Sequence, residues 1–298
     1  MEEQNPMSLL EGFEHIVQEN VPLAPLTRLR LGGMAHYLAQ PTSKEELVGL
    51  VQRFHQAEVP IKILGNGANV LVPDEGFGGL VVQLSAPAFC EISVDGNRMV
   101  AGGGVQLSHF VSVAVREGFA GPEQLVGIPG TVGGSLHLNT SVHGGNIGTW
   151  TRQATVITAK GELLVREVND LNFSYRKSSL TELAIVGAAF EFEKETPEVL
   201  GKRMQKLWIV RKARQPMLDE ACAYVFKDHG GTGASSLLEE AGIQGIRVGG
   251  VEISDRDPNF FIAHEDATAA DFLKLVELVK AQVHERLNVA LELSVDVW

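Results

Sequence analysis

Apolar positions along the chain switch repeatedly between helical and strand spacing. Ser43 and Glu46 have capping-box spacing, and Leu47, Leu50, Val51 and Phe54 follow at intervals of three and four, which predicts a helix. Lys62–Leu64 and Leu80–Leu84 are short apolar runs that read as strands. Ser108 is placed to cap a second helix running through Val115 and stopped by Gly118. From Thr155 and Val156 short β-rich runs continue to Phe192, and Ala184–Phe192 (AIVGAAFEF) reads as a buried strand. Thr196 and Pro197 open a long helix, with Leu200, Met204 and Leu207 on one side, that closes near Arg214 and Pro216 and is expected to link two halves. Ser235–Ala241 reads as a helix ended by Gly242, and Thr268 caps another through Leu287. The final segment alternates strictly. Val289, Leu291, Leu293, Val295 and Val297 share one face, and Ala290, Glu292, Ser294, Asp296 and Trp298 the other.

Three glycine turns punctuate this pattern. Gly65, Asn66, Gly67, Ala68 and Asn69 follow a short strand in IKILGNGANVL, Gly103 lies in AGGGV (Ala101–Val105), and Gly127–Gly148 reads GIPGTVGGSLHLNTSVHGGNIG without one charged residue of the Asp, Glu, Lys or Arg type. Glycines at 130, 133 and 134 remove the side chains that would keep main-chain N–H groups from a ligand. Successive N–H groups in such a turn form a concavity for anions, with diphosphate the natural guest. Taken alone, the same cluster also describes a plain surface loop.

Composition narrows the field. The chain has 298 residues, 44% of them hydrophobic, enough for two or three packed units. No apolar run approaches a membrane span, and Met1–Glu19 is acidic and lacks a signal-peptide core, so a cytoplasmic protein without membrane insertion is expected. Cys90 and Cys222 are far apart and outside any CxxC spacing, which argues against a disulfide framework or a structural zinc site. A net charge of −12 argues against a nucleic-acid partner. Nine histidines lack ligand spacing, and there is no phosphate-loop lysine motif, HExxH or GxSxG; no metal is expected. No GxGxxG opens a helix after the first strand, so a Rossmann fold fits poorly.

The glycine turns, together with TRLRLGG (Thr27–Gly33), SYRKS (Ser174–Ser178), RQP (Arg214–Pro216), VFK (Val225–Lys227), LLEEAGIQGIRVGG (Leu237–Gly250) and Asn259-Phe260, resemble the UDP-N-acetylenolpyruvoylglucosamine reductase family from about residue 22 onward. The spacing between Arg176 and Arg214 is similar to the family's shorter second type, which lacks an inserted tyrosine loop. The resemblance implies an α+β fold with a two-part FAD-binding domain of the vanillyl-alcohol-oxidase type and a C-terminal substrate-binding domain. The expected boundaries are 1–86 and 87–195 for the FAD subdomains, 196–216 for a linker helix and 217–298 for the substrate domain. It implies FAD, held noncovalently by the 65–69 turn, Gly103, Pro129, Gly130, Thr131, Gly133, Gly134, Asn139, Gly145 and Ile147. It further implies NADPH as reductant, a UDP-sugar substrate and a monomer.

In such an enzyme NADPH reduces FAD, the flavin gives hydride to the enol ether's methylene carbon, and a general acid protonates the neighbouring carbon. By motif, the residue that polarises the enolpyruvyl carboxylate is Arg176, whose guanidinium matches a carboxylate in geometry and charge. The general acid is usually Ser or Cys; in ACAYVFKD that position holds Tyr224, with Cys222 two residues back as a substitute donor. The position of the family's C-terminal glutamate holds Ser294, flanked on the same face by Glu292 and Asp296. Tyr175, Arg214, Lys227, Asp228 and Asn259 fall at substrate-binding positions, and Lys177, Arg211 and Lys212 add positive charge beside them. Further departures are Ala68, His143, Asp228 and Asp257. Two readings follow: the family reaction at reduced turnover, or an FAD-binding paralogue with a different or lost activity.

Overall fold

The computed structural model describes residues 9–142, 145–216 and 220–298, so His143 and the first eight residues lie outside the described residues. Contacts divide the chain into two compact units. One comprises the chain up to Val21, Ala35–Asn66 and Gly78–Trp208; the other comprises Pro22–Met34, Gly67–Phe77 and Ile209–Trp298. Segments 22–34 and 67–77 thus fold with the C-terminal part, although both precede the whole five-stranded sheet of the first unit.

The first unit holds two sheets. A four-stranded sheet runs in the order Val17–Pro22, Met34–Ala39, Phe77–Val82 and Ile61–Ile63, with the last two strands parallel. The helix Lys44–Gln56 buries Leu47, Leu50, Val51 and Phe54 as its spacing predicts. Ser43 caps it by accepting from the Glu46 amide, but Glu46 does not reach back to close the box. Its carboxylate accepts from the Thr42 amide and hydroxyl and meets His15. These bonds, the Thr42 amide foremost, pull the Glu46 carboxyl down to about 2.

The second sheet is antiparallel and five-stranded, in the order Leu163–Glu167, Thr151–Ile157, Ala184–Glu191, Arg98–Gly102 and Ile92–Asp95. Phe110, Phe119, Phe190 and Phe192 form its aromatic core, with Phe119 stacked on Phe192 at 4.9 Å. The helix expected to follow a Ser108 cap begins two residues earlier, at Leu107. Gln106 is its N-cap and Ser108 is exposed in the first turn, while Gly118 ends it in the left-handed region as expected. In the helix Pro197–Arg214 the apolar stripe stops early. Leu200 and Met204 enter the phenylalanine core, whereas Leu207 is exposed along with Trp208, Ile209 and Val210.

The C-terminal unit is built on an antiparallel sheet ordered Cys222–Tyr224, Phe260–Ala263, Val251–Ile253 and Arg247–Val248. Against its core the helix Ala269–Leu287 buries Phe272, Leu275, Val276, Val279 and Val283. Thr268 and Asp271 form the reciprocal capping box, and Asp74 adds a second cap by accepting from the amides of Ala269 and Ala270. The alternating tail is not one long strand. Leu291 and Val295 are buried and Glu292 exposed, as the alternation requires, but regular pairing is confined to Asp296–Val297 against Val70–Leu71, and Val297 is exposed. The tail changes partner on the way, from Phe226 at Leu293 to Val70 at Asp296, and that break ends the regular ladder. Among the described residues no helix is long and apolar enough to cross a membrane.

Candidate functional site

In the first unit Gly65 and Asn66, which open the first glycine turn, lie beside the third. A Cβ on Gly65 would come within 2.9 Å of Thr131 Oγ1, and Asn66 Nδ2 donates to Gln106 Oε1 at 3.4 Å. Thr131 Oγ1 caps the short helix Val132–His137 by accepting from the Gly134 amide. The Gly133 amide donates to the Gly103 carbonyl, and the Gly103 amide donates to Val186. Both main-chain groups of Gly103 are therefore used inside the fold, and a Cβ there would lie 1.9 Å from the Ile185 carbonyl. The middle glycine turn is a place where backbones touch, and the amides of Gly133 and Gly134, expected to face an anion, are engaged by the protein itself. Space opens elsewhere. Gly130, at φ +149°, and Gly134 would bring a Cβ no closer than 3.4 Å to any neighbouring atom, and Gly65, Pro129 and Gly134 are exposed. A cradle of main chain with small residues on its rim fits a long cofactor such as FAD, which needs close backbone approach. Ile147 is fully buried, and Gly145 pairs in a two-residue ladder with Val142.

Arg176 stands at the tip of a hairpin in the same unit. Phe173–Ser174 pairs with Lys177–Ser178, leaving Tyr175 and Arg176 as the two-residue turn. Arg176 has φ +54°, at a turn position that glycine normally fills, and holding a non-glycine residue there costs about 1 kcal/mol. Asn139, also left-handed at φ +43° and 1% exposed, donates from Nδ2 to the Ser174 carbonyl at 2.8 Å and accepts at Oδ1 from the Gly148 amide at 3.2 Å. On the other strand of the hairpin, Ser178 donates to the carbonyl of His137, the last residue of the helix Val132–His137. Tyr175 and Lys177 are exposed and Arg176 is half-buried.

The C-terminal unit gathers most of the remaining candidates. Tyr224 donates from its hydroxyl to Asp228 Oδ1 at 3.2 Å, and the same oxygen accepts from the Ala234 amide. Its ring meets Phe260 edge-on. Cys222 is fully buried, with Arg28 Nη2 3.5 Å from its sulfur. The Ser294 amide donates to Val225, and its carbonyl accepts from Asn69 Nδ2 at 2.7 Å. Glu292 is largely exposed and meets Lys227 at 3.4 Å. Asn259 is fully buried: its side chain accepts from the Phe226 amide and donates to the Phe226 carbonyl, imitating a strand neighbour and holding the 225–227 segment. Gly67, at φ +64°, leaves a Cβ position only 2.4 Å from the Leu26 carbonyl, and Ala68 beside it is half-buried. Arg214 and Lys212 are exposed; Arg211 is half-buried, and burial lowers its guanidinium from the ordinary value. Burial likewise raises the Cys90 thiol, which donates to Leu84.

Sequence reading missed three of these arrangements. The Tyr224–Asp228 pair had a signal, because the two polar residues stand four positions apart in one short segment. The Arg28–Cys222 contact and the Asp74 cap join residues nearly two hundred positions apart and left none. Among the described residues no cluster of metal-ligating side chains is present.

Residues 35–166 match the model of an FAD binding domain, and residues 215–298 that of the UDP-N-acetylenolpyruvoylglucosamine reductase C-terminal domain. The chain is 36% identical to a UDP-N-acetylenolpyruvoylglucosamine reductase of Rhodopirellula baltica, over 97% of this chain and 94% of that protein. With the corresponding protein of Exiguobacterium sibiricum identity is 34%, over 100% and 98%. The crystal structure of UDP-N-acetylenolpyruvylglucosamine reductase from Thermus caldophilus superimposes with a TM-score of 0.79 at 34% identity, covering 94% of this chain and 98% of that one. The α+β architecture, an FAD-binding half followed by a reductase C-terminal domain, is thereby established, and the chain belongs to the UDP-N-acetylenolpyruvoylglucosamine reductase family of peptidoglycan precursor synthesis.

Proposed function

We propose that the protein reduces UDP-N-acetylenolpyruvoylglucosamine to UDP-N-acetylmuramate with NADPH, at a turnover below that of a chain carrying the usual acid and glutamate. The observation that carries this reading is Arg176, held in a left-handed conformation on a braced hairpin within the unit that also carries the open glycine rim of Gly130 and Gly134. Strain of this kind persists where the surrounding structure enforces it, and it concentrates at sites of function. Gly130 and Gly134 together with Gly65 and Asn66 would hold FAD noncovalently, and the cofactor would supply the hydride.

Arg176 orients the enolpyruvyl carboxylate and stabilises the negative charge that grows on it. Tyr224 holds the proton destined for the carbon beside that carboxylate. Its hydroxyl is turned to Asp228, so delivery breaks a hydrogen bond that a serine at this position would not make, and its ring occupies more room than serine would. Ser294 carries no carboxylate, and Glu292 is exposed and engaged with Lys227, so neither replaces the missing glutamate at full strength. Lys177, Arg214 and Lys227 supply positive charge for the diphosphate and the NADPH phosphates. Reconstitution with FAD, followed by NADPH-dependent conversion of the enolpyruvyl sugar to its muramate product, tests the reading. No bound flavin, or flavin without product at any substrate concentration, refutes it and favours a paralogue of other or lost activity.

A further inference from the structure

We infer that Asn139 is a positioning residue for Arg176, acting on the reaction through the carbonyl of Ser174 rather than by contact with a ligand. The inference rests on the reading of Arg176 given above. The hairpin that carries Arg176 has two rungs, Phe173–Ser178 and Ser174–Lys177, and so short a ribbon does not hold its own geometry in water. Its shape is imposed from outside. Ser178 fastens the outgoing strand to the His137 carbonyl, and the Phe173 ring lies where a Cβ on Gly148 would be, 2.3 Å from its nearest carbon. The bond nearest the tip is Asn139 Nδ2 to the Ser174 carbonyl, the group that opens the turn.

Both ends of the Asn139 carboxamide are assigned by their partners. A carbonyl faces the nitrogen and an amide N–H faces the oxygen, so the side chain cannot be flipped without losing both bonds. Asn139 itself sits at φ +43°, two residues beyond the helix that the third glycine turn begins. Asparagine is among the few side chains that tolerate this backbone. It therefore links the glycine-turn helix, the Gly148 amide and the Arg176 hairpin at one buried point. Releasing the Ser174 carbonyl frees the peptide before Tyr175, and the guanidinium two residues on loses its fixed direction.

Two variants test this. Asn139→Asp keeps an acceptor for Gly148 but sets a carboxylate against the Ser174 carbonyl; Asn139→Gly keeps the left-handed backbone and removes both bonds. Each is expected to slow enol-ether reduction about 10- to 100-fold and to weaken calorimetric affinity for UDP-N-acetylenolpyruvoylglucosamine. FAD affinity and the rate of flavin reduction by NADPH should change less than about threefold. In an Arg176→Lys background the same substitutions should have almost no further effect on enol-ether reduction, because their route of action is already cut. Equal losses in the two backgrounds, a fall in FAD affinity that parallels the rate, or unchanged enol-ether reduction would each overturn the inference. If Arg176→Lys alone leaves enol-ether reduction at the parent rate, the reading of Arg176 fails first and the inference falls with it.

Discussion

The glycine turns of the first unit and the paired segments around Tyr224 and Ser294 in the second show two ways in which sequence constrains function. In the turns the backbone carries the constraint: Gly103 is fixed because a Cβ would strike the Ile185 carbonyl. A ligand held by main chain depends little on the side chains around it. In the second region the backbone is indifferent. The Ser294 amide and carbonyl make their bonds to Val225 and Asn69 whatever side chain stands at 294, and the ladder between Cys222–Tyr224 and Phe260–Ile262 is made by main-chain groups. A scaffold of this kind tolerates a change of side chain at Tyr224 and Ser294, and under the proposed function cofactor binding can therefore outlast full turnover.

The sharpest contrast lies within the turns themselves. Gly103→Ala should destabilise the first unit by about 3 kcal/mol or more, since the clash is with backbone that cannot yield; urea unfolding of the variant checks this. A near-neutral result would mean the middle turn is loose and its glycines serve a ligand after all. Arg176→Gly should do the reverse. It relieves the left-handed strain and raises stability by about 1 kcal/mol, while enol-ether reduction falls about 10²- to 10³-fold, so thermal unfolding and single-turnover rates should move in opposite directions.

Gly134→Ala probes the open rim. The substitution improves helix propensity by about 0.5–1 kcal/mol and meets only Thr131 Oγ1, at 3.4 Å. Stability should hold or rise, while FAD affinity, followed by fluorescence titration, should weaken about tenfold. Unchanged FAD affinity would move the cofactor away from this helix. Glu46→Gln lies outside both regions and serves as a control for plain stability. The depressed Glu46 carboxyl contributes only where it is ionised in the folded state, so the variant should lose about 1 kcal/mol at neutral pH. That difference should shrink below about 4.5 and vanish near 2. Chemical denaturation across pH measures it, and FAD binding at neutral pH should not change.

Much of the fold was legible because caps and periods are local. Ser43, Thr268, Gly118 and Pro197 each sit within a turn of the boundary they set. The tail misled because alternation reports which face is buried and not which neighbour is paired, and here the neighbour changes between Leu293 and Asp296. Site residues divided along the same line. Arg176 was visible through its motif, and glycines were visible as glycines, but which of them face open space depends on carbonyls dozens of residues away. Asn139 and Asn259 have the composition of ligand contacts and make the bonds of braces, and most of the partners that show it stand more than thirty residues away.

The central claim is that cofactor chemistry is intact and substrate chemistry is weakened, and stopped-flow kinetics of the two half-reactions tests it most directly. In the parent, NADPH should reduce the flavin rapidly and the enolpyruvyl sugar should reoxidise it slowly. In Tyr224→Ser/Ser294→Glu the first rate should hold and the second should rise at least about tenfold, a fraction of the roughly 10² to 10⁴ that a positioned acid supplies. Reoxidation in the parent as fast as reduction, with no gain in the double variant, would contradict the claim and make Tyr224 with Asp228 a competent acid in its own right.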